Sequence, residues 1–137
     1  MIIRRADEET EAGALPSEEL FAAMTRYNEE LVKAGVMLDG AGLQPSAKGM
    51  KVRFAGGTRT VIDGPFTEAK EMIAGYTLVE AGSLAEVVEL VKKWPVEDGH
   101  GNVTIEIRRV ASIDEYDTAS PEAIERERQM RAATGKA

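Results

Sequence analysis

The stretch Arg59-Thr60-Val61-Ile62-Asp63-Gly64-Pro65-Phe66-Thr67-Glu68-Ala69-Lys70-Glu71 decides how this chain folds. Its first four residues read as a strand. Asp63-Gly64-Pro65 then ends that strand, because a proline fixes its own φ and disfavours helix at the residue before it. Gly64 is expected to take backbone angles that other residues avoid. Two roles are open to Asp63 at the strand tip. Its carboxylate can accept hydrogen bonds from the backbone N–H groups of the turn. It can also act as an acid or base at the mouth of a cleft.

Upstream, Met50, Val52 and Phe54 alternate with Lys51 and Arg53, the period of a half-buried strand. Gly56-Gly57 supplies a two-residue turn, and residues 58–62 return as the second arm of a hairpin. Further back, Ile2 to Ala6 forms a first strand, followed by a polar loop. Ser17 caps a helix whose apolar stripe is Leu20, Met24, Tyr27 and Leu31, and Gly35 ends it. Val36-Met37-Leu38 opens an extended segment that Gly40-Ala41-Gly42-Leu43-Gln44-Pro45 closes. Downstream, residues 67–72 form a single helical turn and residues 75–81 a strand. Ser83 caps a second helix carrying Leu84, Val87, Val88, Val91 and Trp94 on one stripe, with Pro95 as its stop. A loop with the single histidine, His100, leads to a strand over 103–110.

The order is strand, helix, strand, hairpin, strand, helix, strand. It predicts an α+β fold, a ferredoxin-like split βαβ sandwich with both helices on one face of the sheet. The other face keeps apolar side chains, so a homodimer is expected. Residues 1–111 form the domain, and 112–137 a polar, helical tail.

The 137 residues suffice for one self-supporting core. The chain has no cysteine, which excludes disulfides and thiolate metal sites and suits a cytoplasmic location. The start is too short in apolar residues for a signal peptide, and no run reaches membrane-span length. Net charge is −7, and the segment from Asp7 to Glu30 holds eight acids against one base. With no basic face, nucleic-acid binding is not expected. Nor do these acids have the spacing of an oxygen-ligand metal loop. No metal or cofactor is called for.

Several motifs in fixed order resemble the YCII-related, DGPF-domain family of small bacterial proteins. They are Ala6-Asp7, Glu11-Ala12-Gly13, Leu15-Pro16-Ser17, Gly40 through Ser46, Asp63-Gly64-Pro65-Phe66, Glu68-Ala69-Lys70-Glu71 and Ile105-Glu106-Ile107-Arg108. The resemblance implies a dimeric α+β barrel, with the sheets of two copies face to face. Within that family some members are proposed to work through a His–Asp pair, and one branch removes chloride from a chlorinated aromatic. Many DGPF members are encoded beside extracytoplasmic-function sigma factors. This chain departs from the His–Asp pattern, because its first helix has no histidine. Ala41 stands where many DGPF relatives carry an acid.

Asp63 and His100 are the candidate catalytic residues, the imidazole being able to exchange protons near neutral pH. Arg5 and Arg108 could clamp an anion through paired hydrogen bonds, or pair with Glu106 or Asp63 instead. Tyr27 and Phe66 are candidate substrate contacts that also fit a core. The expected function is the binding of a small organic, anionic or aromatic molecule in a cleft, with a simple proton-transfer or lyase-type step. The alternative is a non-enzymatic accessory role in signalling beside a sigma factor.

Overall fold

The structure is a computed structural model that describes residues 1–135. Strands β1 (Ile2–Arg5), β2 (Met37–Gly42), β5 (Ile73–Val79) and β6 (Ile105–Ile107) form one sheet. Strands β3 (Met50–Ala55) and β4 (Thr58–Asp63) form a second sheet of their own. Helices are α1 (Glu8–Glu11), α2 (Glu18–Lys33), α3 (Leu84–Val91) and α4 (Pro121–Ala133). The main sheet runs β2-β5-β1-β6, and every neighbouring pair is antiparallel. Strand β5 thus lies between β1 and β2, the split βαβ arrangement. The fold is α+β and ferredoxin-like, as the element order predicts.

Capping chemistry sets the helix ends. The Ser17 side chain accepts from the Leu20 N–H at 3.1 Å, and that of Ser83 from the Glu86 N–H at 3.2 Å. Gly35 follows α2 with φ +73°, the left-handed conformation of a glycine stop. Gly56 and Gly57 both have positive φ, as a two-residue hairpin turn requires.

The register puts Ile2 opposite Thr77 and Ile107, and Arg4 opposite Gly75 and Ile105. This is the helix-covered face, where Ile2, Ala23, Tyr27, Leu31 and Val87 are buried. Ile3, Tyr76 and Leu78 alternate onto the opposite face.

Three local expectations need correction. The polar loop after β1 contains α1, nucleated by a capping box in which Asp7 accepts from Thr10 N–H and Thr10 answers to Asp7 N–H. Strand β2 continues through Gly40-Ala41-Gly42. Close approach requires glycine at two positions here: a Cβ on Gly40 would lie 3.2 Å from the Tyr76 carbonyl oxygen, and one on Gly75 2.9 Å from the Ala41 carbonyl oxygen. Strand β6 has three residues rather than eight, because its ladder partner β1 is itself only four residues long. The expected hairpin β3–β4 forms and pairs with no strand of the main sheet.

The Asp63-Gly64-Pro65-Phe66 turn also differs from its expected form. Gly64 does not have positive φ; it precedes a cis peptide bond to Pro65. Glycine is needed there for space: a Cβ would sit 1.7 Å from the Ser46 carbonyl oxygen. The turn's N–H groups do not go to Asp63. Gly64 N–H bonds the Gly49 carbonyl at 3.0 Å, and Phe66 N–H bonds the Ser46 hydroxyl at 3.0 Å. Ser46 is buried, and its hydroxyl donates to Glu11 Oε2 at 2.5 Å while its N–H donates to Oε1 at 3.1 Å. Glu11, Ser46 and Phe66 therefore form one hydrogen-bonded tie between α1, the 46–48 turn and the loop after β4.

This tie sets an order of sensitivity. Gly64→Ala is expected to lose on the order of 1–3 kcal/mol or more by overpacking. Ser46→Ala is expected to lose about 1–3 kcal/mol by stranding its partners. Asp63→Ala should stay within about 0.5 kcal/mol, as an exposed substitution. Chemical denaturation of the three variants checks the ranking, and an Asp63→Ala loss equal to that of Gly64→Ala would refute it.

Candidate functional site

A charged side chain on the covered face of the central strand must bring its partners with it. Arg4 alternates onto the same face as Ile2 and is buried there. Its guanidinium grips Asp98 with two parallel hydrogen bonds, Nε to Oδ2 at 3.0 Å and Nη2 to Oδ1 at 2.6 Å. Nη1 donates to the Arg5 carbonyl at 2.7 Å, and Nη2 lies 3.1 Å from Asp7 Oδ2. Asp98 also accepts from Trp94 Nε1 at 2.9 Å. Trp94 packs edge-on to Tyr27, with ring centroids 5.4 Å apart, and the Tyr27 hydroxyl donates to the Leu90 carbonyl at 2.8 Å.

The chain reaches Asp98 through a sharp reversal. Gly99, His100 and Gly101 all have positive φ, and a Cβ on Gly99 would meet Val103 Cγ1 at 2.5 Å. Histidine is among the few side chains that tolerate this conformation. The conformation of His100 thus belongs to the turn that delivers Asp98.

Electrostatics follow from these contacts. The hydrogen bond to Asp98 raises the Arg4 pKa further, against the opposing effect of burial. Burial would raise the Asp7 carboxyl, but the Thr10 N–H and Arg4 outweigh it and hold it below its ordinary value. Burial, with a smaller contribution from Glu30, pushes the Tyr27 phenol up to about 12.

Beside Arg4 and Asp98 opens a cavity of about 890 Å³. Met37, Gly40, Gly75, Tyr76 and Thr77 contribute to its sheet side. Leu20, Phe21, Met24 and Asn28 of α2 line it from the helix side, with Trp94 also in the wall. Asn28 Oδ1 is buried in this wall with no hydrogen-bond partner. The charged lining is balanced, Arg4 and Lys48 against Glu11 and Asp98.

The structure distributes the sequence-predicted residues differently. Arg5 and His100 line another cleft of about 1000 Å³, together with Glu9, Glu68 and Lys70. His100 is 79% exposed, with Nε2 3.1 Å from Glu9 Oε1. Arg5 donates to the Lys70 carbonyl at 2.5 Å and lies 3.9 Å from Glu106 Oε1. Phe66 lines a third cleft of about 560 Å³, with Lys51 Nζ 4.2 Å from its ring centroid. Arg108 is exposed and lies 3.4 Å from Glu106. Tyr27 is in the core. Asp63 is exposed and lines none of these three clefts, so it shares none with His100. The acids of α1 are dispersed, Asp7 to Arg4 and its cap, Glu9 to His100, Glu11 to Ser46. Among the described residues no group of three or more acidic or histidine side chains is placed to hold a metal ion.

Arg4, Asp98, Asn28, Trp94 and Thr77 were not foreseen as a group. One signal existed for Arg4: period-two alternation puts it on the face of Ile2. Nothing local marks Asp98 as its partner, 94 residues away.

A ferredoxin-like α+β domain with a cavity between helix and sheet defines the class of protein. Its family is set by sequence: the YCII-related domain model matches residues 1–114, and the chain belongs to that family. An uncharacterized protein of Rhizobium meliloti (strain 1021) is 29% identical over 75 residues, 55% of this chain. The matched region spans 60% of that relative's length. Among the described residues no helix is long and apolar enough to cross a membrane.

Two outcomes test the site's electrostatics. Arg4→Met leaves Asp98 buried without its charge partner and is expected to cost about 3–5 kcal/mol. The double variant Arg4→Met/Asp98→Leu should recover much of that loss in a double-mutant cycle. Tyr27 has its pKa raised on folding, so its effect on stability is absent below the unfolded pKa near 10. Stability then falls as pH rises toward about 12, since only the unfolded chain ionises the phenol readily. Tyrosinate absorbance should show a late-titrating component that is lost in Tyr27→Phe.

Proposed function

We propose that this YCII-related protein binds a small, largely apolar, uncharged organic molecule in the cavity beside Arg4 and Asp98. The carrying observation is that cavity, about 890 Å³, whose wall holds an amide oxygen with no partner. The volume lies in the range of ligand pockets, and the mixture of apolar walls with few polar groups is typical of them. Its lining charges balance in number, and Arg4 and Asp98 are paired with each other. A charged ligand would find no free counter-charge at Asp98, whose two oxygens already accept three hydrogen bonds. Asn28 can turn about its soft terminal torsion to accept from a ligand hydroxyl or amine. The ligand class is therefore a hydrogen-bond donor with an apolar body, such as a phenol or a cyclic alcohol.

This is a binding role first. The acid and imidazole named by the sequence lie outside this cavity, and Asp98 is committed to Arg4 and Trp94. A panel of neutral phenols and alcohols with matched aromatic acids, read by thermal shift and calorimetry, tests the reading. Neutral donors are expected to stabilise the protein. Asn28→Leu should weaken them about tenfold, the scale of one hydrogen bond to a buried group. Met24→Trp, which fills the cavity, should abolish binding, while Asp63→Asn leaves it unchanged. Binding that survives Met24→Trp, or a panel in which no neutral compound binds, would remove the cavity from consideration.

A further inference from the structure

The cavity beside Arg4 and Asp98 has polar groups on two walls that the fold itself leaves unpaired. One is Asn28 on α2. It follows Met24 by one helical turn, and both residues line the cavity. Asparagine is a poor helix former, so the helix gains nothing from it there. Its Oδ1 is buried with no partner, and among the described residues its Nδ2 makes no hydrogen bond either.

The other group is Thr77 on β5. It is 7% exposed and lines the same cavity from the sheet side. The register sets it opposite Ile2 on β1 and Gly40 on β2, all three on the helix-covered face. Neither neighbour offers a polar side chain. Among the described residues the Thr77 hydroxyl makes no hydrogen bond. Threonine suits a strand by its branched shape, but valine has that shape without a hydroxyl to desolvate. An unpaired buried polar group costs stability. Here two of them border one space, one from the helix and one from the sheet.

We propose that Thr77 is a second anchor for the ligand of this cavity, which therefore selects an uncharged ring compound with two hydrogen-bonding groups, one held by Asn28 and the other by Thr77. This rests on the binding role proposed above and narrows it. A ligand that displaces water from such groups keeps affinity only if it replaces the bonds. A single hydroxyl serves one wall and leaves the other group unpaired. A diol, or an alcohol with a carbonyl, serves both, since a threonine hydroxyl and an asparagine amide each donate and accept. A carboxylate or ammonium in place of the second group would lose its hydration and find Arg4 and Asp98 already paired.

Calorimetry on matched compounds is the test: phenol against resorcinol and hydroquinone, and cyclohexanol against its diols. Trp94 is the only tryptophan and stands in the cavity wall, so its fluorescence reports occupancy by the cyclohexane compounds. At least one diol is expected to bind about three- to tenfold tighter than its parent alcohol, roughly the scale of one net hydrogen bond. Thr77→Val should reduce that diol to the affinity of its parent, and Asn28→Leu should weaken both compounds. Without ligand, Thr77→Val should melt no lower than the unaltered protein, because its hydroxyl has no partner to lose. Diols that bind no tighter than their parents would overturn the second anchor and leave the binding role standing. No binding by any of these compounds would overturn both. A diol advantage that survives Thr77→Val would overturn the proposal. So would a Thr77→Val protein that melts several degrees lower, since the hydroxyl would then serve the fold rather than a ligand.

Discussion

A guanidinium on the covered face of a central strand must be matched before helices can close over it. Arg4 occupies that position, and the sheet, the loop after α3 and α1 all converge to match it. Asp98 supplies a bidentate carboxylate, Asp7 a second charge, and the Arg5 carbonyl a neutral acceptor. A buried pair of this kind is costly to break and is not strongly stabilising compared with an apolar replacement. Its effect here is positional. It fixes where the 98–101 reversal meets the sheet, and through Trp94 and Tyr27 it fixes how α2 lies over the sheet. The cavity is bounded by the same residues, so its shape inherits the rigidity of the pair.

The Asp63-Gly64-Pro65-Phe66 motif acquires a physical meaning from what it touches. Gly64 approaches the Ser46 backbone too closely for any side chain, and Ser46 is held in turn by Glu11. The Glu11-Ala12-Gly13 and Gly40–Ser46 motifs therefore meet the Asp-Gly-Pro-Phe turn at one point. Motifs far apart in sequence act as parts of one joint. The joint anchors the base of the β3–β4 arm to the helical layer, which leaves the arm's far end free of contact with its own core. A conspicuous acid at the tip of such a turn is easily read as chemistry. Here the polar work of the turn is done by a serine.

Period-two and helical spacing placed the hairpin, the strand at Ile105–Ile107 and helices α2 and α3, because each pattern reports a locally encoded preference for one buried face. The caps at Ser17 and Ser83 were legible for the same reason. Long-range closeness was not. The 1.7 Å approach behind Gly64 involves Ser46, 18 positions earlier in the chain, and no local pattern records it. Asp98 lies in a glycine-rich loop in which His100 is the residue that stands out by type. The neighbouring carboxylate is the buried one. Strand glycines misled differently: Gly40 and Gly42 read as loop by propensity, but both lie in β2, and Gly40 sits where a side chain would crowd Tyr76 and Met37.

The remaining imbalance lies between a small core and a large apolar surface. Among the described residues Ile2 is the one large side chain that is fully buried, while Met50, Val52, Phe54, Val61, Leu15 and Phe21 are largely exposed. Scattered exposed apolar residues are ordinary on any protein. These are not scattered: four lie on one face of a single hairpin, and two beside an acidic helix start. The arm places Lys51 and Arg53 on one face and keeps Met50, Val52, Phe54 and Val61 together on the other, beside Arg59 and Asp63. Such segregation is what period-two patterning produces when a strand has a buried side, and this chain alone does not provide one.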